Sequence, residues 1–390
     1  MVSVAAAAPD ESLLGRAWGY PSGNTTTAFQ ESYRVGSFSA MASIFNSRRV
    51  DRAHVAAPLP RGEPAEIRYT SGGVSLSVQD YLDRNRVTGL LILHDGRIVH
   101  EQYQYGRHER HAFISFSMAK SLTASLVGIA VDRGHLRSLN DPAETYVPEL
   151  KGSAYGTTTL RQLLRMSSGV RFSEEYSGTD DMGRLWDAMF RFGERPLPLL
   201  SRFEVREAGA GTRFRYATAE TQVLCYVLTR ATGKPVAALT QEWIWQPLGA
   251  EADAAWLVGR DDLEFCGGGF NATLRDYGRL GQLWLDGGRR GDHALIPVEF
   301  LADATRGERQ PEGFRPGQPE PFGYGYQFWI SQRVPGAFSA IGVYGQMIFV
   351  HPETRVVVVQ TAAWRSASSR DAAAERSAFV EGVVRSLARR

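Results

Sequence analysis

The chain has 390 residues, 43% of them hydrophobic and 22% charged, and its 44 Lys+Arg against 42 Asp+Glu leave a net charge of +2. A chain of this length buries a large core without metal or disulfide staples. The near balance of charge argues against nucleic acid or an anionic membrane as main partner, since both select a concentrated basic surface, and no apolar run reaches the ~18 residues of a membrane span.

In chain order, residues 1–65 are rich in Gly, Pro, Ser and Thr and read as an irregular wrapping arm. Its Ala-rich start, Met1 to Pro9, has no basic n-region and is not an intact signal peptide, which leaves the cytoplasm and export after leader removal both open. Residues 89–103 are two apolar runs around Asp95-Gly96, a dipeptide suited to a type I′ turn, and predict a β-hairpin. Residues 116–133 carry Leu122, Leu126, Ile129 and Ala130 at helical spacing and are apolar nearly all round, the pattern of a buried central helix closed by Gly134. Residues 157–280 are mostly helical patterns, clearest over 160–166 and 220–231. Strand patterns return over 324–331, 338–350 and 354–361, and residues 369–390 form an amphipathic helix. Strands at both ends with helices between them predict an α+β fold: one antiparallel sheet assembled from distant segments, flanked by helices, with an inserted helical subdomain. The expected division is an arm (1–65), a sheet domain (66–156 with 270–390) and a helical subdomain (157–269).

Cys225 and Cys266 are too few for a disulfide framework or a zinc site. The basic residues are almost all arginine; Lys120, Lys151 and Lys234 are the three lysines. Only lysine has an amine that loses its proton near neutral pH when desolvated. Lys120 lies three residues after Ser117, at the start of the buried helix. Residues three apart share a helix face, so hydroxyl and amine can touch. A serine hydroxyl needs a neighbouring base to become nucleophilic, and a buried lysine of lowered pKa can be that base. The plain alternative is a serine N-cap beside a solvated lysine. Tyr216, at a loop-to-helix junction in Phe-Arg-Tyr-Ala-Thr-Ala-Glu-Thr, can place a phenol in the same cleft, and beside a protonated lysine it would be pushed toward phenolate.

Ser117-x-x-Lys120, the Tyr216-Ala217-Thr218 triplet and a glycine in a late strand together resemble the serine β-lactamase and penicillin-binding-protein superfamily, class C branch, with its esterase and amidase relatives. Residues 163–170, 273–281 and 342–352 are similar to further segments of that family. Within it, Ser47-Arg48-Arg49, residues 146–150 and Ser173-Glu174-Glu175-Tyr176 look like stretches of the 6-aminohexanoate-dimer hydrolases. The resemblance implies a serine hydrolase (carboxylesterase or amidase) working through an acyl-enzyme on Ser117, with Lys120 and Tyr216 as proton carriers. The backbone N–H groups of Ser117 and Val343 would be oxyanion donors. It implies a small-molecule ester or amide substrate, no cofactor or metal, and a monomer or homodimer. It also implies substrate contacts at Tyr176, matching a substrate-covering tyrosine, and at Gly342 and Gly267, with Asp181 (or Asp180) and Trp186 as further candidates. Trp329 is read as cleft or core.

Three departures bear on substrate. Tyr-Ala-Thr replaces the usual Tyr-Ser-Asn. Ala340-Ile341-Gly342 replaces Lys-Thr-Gly, removing the cation that grips a β-lactam carboxylate. Gly267 stands where the nylon-oligomer amidases carry Asn. Acyl transfer to an alcohol or amine, or a sensor acylated once, would use the same residues. The chain has no Gly-x-Ser-x-Gly elbow, no clustered His motif and no Gly-x-Gly-x-x-Gly, so it matches neither an α/β-hydrolase, a metallohydrolase nor a dinucleotide enzyme.

Overall fold

The computed structural model describes residues 10–310 and 322–388; the Met1–Pro9 stretch read above for a leader lies outside them. A seven-stranded, wholly antiparallel sheet has the order Phe322–Tyr324, Trp329–Ser331, Phe338–Gly342, Gln346–His351, Val356–Ala362, Val87–His94, Arg97–Tyr103. The expected hairpin is present, with Asp95 at φ 48° and Gly96 at φ 70°, the left-handed pair that a type I′ turn requires. It joins the C-terminal strands where Leu91 pairs with Val359 and Leu93 with Val357.

Side chains alternate across this sheet, so each strand feeds two cores. Leu91, Leu93, Val357 and Val359 face the helices Met118–Asp132 and Leu274–Leu285. Leu90, Ile92, Val356 and Val358 face the C-terminal helix Arg370–Leu387 through Phe379, Val380 and Val383. Both faces are covered, which explains why these strands read as continuous apolar runs. A Cβ on Gly281 would lie 2.6 Å from Val357 Cγ1, so only glycine lets that helix approach the sheet this closely. Among the described residues no helix is long and apolar enough to cross a membrane.

Three expectations are corrected. The run 338–350 is two strands interrupted by a turn at Val343–Gly345, where Tyr344 (φ 59°) and Gly345 (φ 92°) leave the extended region. The run 324–331 likewise divides into Phe322–Tyr324 and Trp329–Ser331, with Gln327 at φ 61° between them. The arm is not irregular throughout. It forms helices Glu31–Ser37 and Met41–Ile44, and its strand Ser47–Val50 opens a second antiparallel sheet, continued by Ala254–Leu257, Phe270–Thr273 and Ala112–Ile114. Strands of three or four residues drawn from three distant regions of the chain leave no periodic signal to read. This small sheet positions the site: Ala112–Ile114 leads into Ser117, and the connection between its two middle strands carries Gly267.

Candidate active site

Ile114 ends its strand, Ser115 N–H donates to Phe270 O at 2.7 Å, and Phe116 turns the chain at φ 42°. A bulky residue in the left-handed region costs ~1–2 kcal/mol, a strain the two flanking elements hold in place. Ser117 follows as N-cap of Met118–Asp132, and its side chain makes no capping bond, so its hydroxyl remains for other partners.

Lys120 is 1% exposed, in a helix buried continuously from Met118 to Ala130. Its Nζ lies 2.8 Å from Ser117 Oγ and donates to Gly267 O, also at 2.8 Å. The amine stands 4.9 Å from the centre of the Tyr216 ring. Burial lowers its pKa to about 8, against an opposing pull from the Glu174 carboxylate. Desolvation wins, and the neutral form of the amine is far more populated near physiological pH than in a solvated lysine.

Tyr216 precedes the helix Thr218–Thr232, stacks on Trp329 (5.5 Å, 23°) and shares a hydrogen bond with Ser117. Burial, then the charge of Glu174, push its phenol far above the ordinary value. The expected drift toward phenolate is therefore corrected: burial and the Glu174 charge favour the protonated phenol.

Glu174 was not singled out from sequence. Its carboxylate accepts from Thr218 N–H (2.6 Å), Thr218 Oγ1 (2.7 Å) and Tyr176 Oη (2.8 Å). A carboxylate at a helix N-terminus is favourable, and here it fixes the segment carrying Tyr216. The motif Ser173-Glu174-Glu175-Tyr176 had drawn attention only to its tyrosine.

Gly342 closes the site from the sheet. A Cβ there would sit 2.4 Å from Ser115 O and 3.1 Å from Ser117 N, so the strand and the loop carrying Ser117 touch backbone to backbone. Val343, the next residue, lines the same cleft as Ser117. This cleft, about 300 Å³, has one wall of Phe29, Phe116, Trp186, Phe265 and Tyr344, and a rim bearing Glu174, Asp180 and Asp187. A larger hollow of about 750 Å³, lined by Trp284, Leu301 and Phe338, includes none of Ser117, Lys120 or Tyr216.

Of the other candidates, Tyr176 and Trp186 line the cleft and Gly267 supplies the carbonyl that holds the amine. Asp181 is not in its lining; its carboxylate accepts from Ser173 N–H and Oγ, both at 2.9 Å. Asp180 reaches the cleft, with its carboxylate capping the next helix at Gly183 N–H (2.9 Å). Cys225 and Cys266, read above as too few for a disulfide framework, form a disulfide with Cα atoms 5.8 Å apart. It ties the helix after Tyr216 to the residue before Gly267, and so braces both sides of Lys120. Closing a loop with a separation of 41 residues restricts the unfolded chain by about 4 kcal/mol.

A model of the Beta-lactamase family matches residues 77–381. The 6-aminohexanoate-dimer hydrolase of Paenarthrobacter ureafaciens is 28% identical over 388 residues, covering 96% of each chain. A solved structure named "Putative 6-aminohexanoate-dimer hydrolase from Bacillus anthracis" superposes with TM-score 0.85 at 24% identity, covering 95% of this chain and 99% of that one. A family VIII carboxylesterase gives TM-score 0.60 at 18% identity, over 78% of this chain and 93% of the other. With most of its length matched by the family model, the chain belongs to the Beta-lactamase family and is a serine hydrolase of that fold.

Proposed function

We propose that the chain cleaves an ester or amide bond of a small substrate through an acyl-enzyme on Ser117. The observation that carries this reading is the 2.8 Å contact between Ser117 Oγ and a buried amine whose pKa is brought to about 8. Neutral Lys120 takes the hydroxyl proton as Oγ attacks the carbonyl carbon. The Ser117 and Val343 N–H groups receive the developing oxyanion, each donor contributing ~3 kcal/mol. Tyr216, a protonated phenol, hands its proton to the departing oxygen or nitrogen and is reprotonated from Lys120. Water then attacks the acyl carbon with the amine as base, releasing the acid and restoring Ser117. Ala340 and Ile341 offer no cation for a β-lactam carboxylate, which favours simple esters and linear amides, among them the amide of an ω-amino acid suggested by the relative's name.

A fluorophosphonate should add once, at Ser117, as read by intact mass and peptide mapping. A protein that stays unlabelled while hydrolysing p-nitrophenyl acetate would overturn the assignment. The pH profile provides a second check. Because Lys120 must be unprotonated to act, kcat/KM for a non-titrating ester should fall about tenfold per pH unit below the amine pKa and level off above about 8. Glu174 raises that pKa, so Glu174→Gln should move the acid limb to lower pH. A limb at the ordinary carboxylate range, unmoved by Glu174→Gln, would point to another base.

A further inference from the structure

The family model begins at residue 77, yet the cleft beside Ser117 is lined by an aromatic ring from far upstream of it, Phe29. We infer that Phe29, presented by the N-terminal arm, sets the size of the apolar group that the cleft accepts; this rests on the serine-hydrolase reading of Ser117.

Phe29 packs edge-on to Trp186 at 5.4 Å and lies 6.1 Å from Phe116 and 6.3 Å from Tyr344. Phe116 adjoins the nucleophile and Tyr344 follows Val343, so the cage begins at the reacting centre. The arm is clamped rather than draped. One guanidinium nitrogen of Arg34 donates to Trp364 O (2.6 Å) and Arg365 O (2.9 Å), while the other donates to Phe29 O (2.9 Å). The guanidinium also lies 4.7 Å from the centre of the Tyr344 ring. The backbone of Phe29 is thus fixed to the end of the sheet, and its ring is held in one place. The ring is only partly buried, unlike its neighbour Phe38 at 3% exposure, and its free surface belongs to the cleft. Phe29, Phe116 and Phe265 carry no hydrogen-bonding group, so this part of the wall discriminates by volume and apolar contact.

The apolar group belongs either to the acid or to the alcohol half of the ester, and two substrate series separate these: p-nitrophenyl esters from acetate to decanoate, and alkyl acetates from ethyl to octyl. Each methylene fitted or refused in an apolar pocket changes kcat/KM by roughly tenfold. Phe29→Ala should raise the ratio of kcat/KM for the longest over the shortest member of one series by roughly tenfold or more, and Phe29→Trp should lower it. The Trp variant keeps the aromatic packing should the Ala variant fail to fold, and its opposite sign tests the same claim. Fluorophosphonate labelling of Ser117 in both variants separates this inference from the reading beneath it. Labelled, folded variants with chain-length ratios unchanged in both series would overturn the role of Phe29 and leave the hydrolase intact.

Discussion

Ser117→Ala, Lys120→Met and the double variant are expected to lose the same factor in kcat for p-nitrophenyl acetate, roughly 10⁵-fold or more. On the proposed mechanism the hydroxyl and the amine act as one device across their 2.8 Å contact. Without the amine, Oγ keeps its proton; without the hydroxyl, the amine has nothing to activate. The second loss therefore adds little to the first, and a double variant much worse than either single one would show that the two groups act independently. The two single variants should part in stability. In the fold the Lys120 pKa is about 8, against about 10.5 in an unfolded chain. Between those values the unfolded state binds more protons, so stability rises with pH across that window, and the full penalty applies below about 8. The penalty is about 3 kcal/mol before the two hydrogen bonds of the amine are set against it. Lys120→Met should accordingly raise Tm at pH 7 while abolishing turnover, whereas Ser117→Ala should leave Tm nearly unchanged. A lowered Tm for Lys120→Met would mean that the bonds to Gly267 O and Ser117 outweigh desolvation.

The second large effect is expected at a residue with no side chain. Gly342→Val would force a Cβ to within 2.4 Å of Ser115 O, a contact that backbone atoms cannot absorb without moving. The end of the strand Phe338–Gly342 must retreat from the loop carrying Ser117 and take the Val343 N–H with it. Loss of one oxyanion donor typically lowers kcat by roughly 10²–10³-fold. Because binding and proton transfer are otherwise left in place, KM should change far less than kcat, and Ser117 should still react slowly with a fluorophosphonate. An unaltered kcat would remove Val343 from the mechanism.

The parts of this site that were legible in the sequence are those whose geometry is local. Ser117 and Lys120 are one helical turn apart, so their spacing alone brings them into reach, and Tyr216 sits in a recognisable triplet at a helix start. The hairpin and the C-terminal helix were likewise readable, because the Asp95-Gly96 turn and the 3.6-residue period are short-range signals. What escaped depends on chain segments that meet only in the fold. Nothing near Gly267 announces that its carbonyl will hold an amine, and nothing near Glu174 announces that it will cap the helix of Tyr216. The break at Val343–Gly345 was hidden because apolar stretches flank it on both sides, so Tyr344, Gly345 and Gln346 read as part of one continuing strand. Phe29 was overlooked because its surroundings in sequence are those of a loop; it gains meaning only from Trp186, Phe116 and Tyr344, contributed by three remote elements.

The separation between Ser117 and Val343 exceeds half the chain, although the two line one cleft. A ribosome therefore releases Ser117 and Lys120 long before the strand that brings Val343 to the cleft has been synthesised. Until then the strand Val87–His94 lacks its partner Val356–Ala362, so the sheet on which the helix of Lys120 packs is incomplete. On the proposed mechanism, activity should therefore follow the arrival of the C-terminal segment rather than the formation of the helix that carries Lys120.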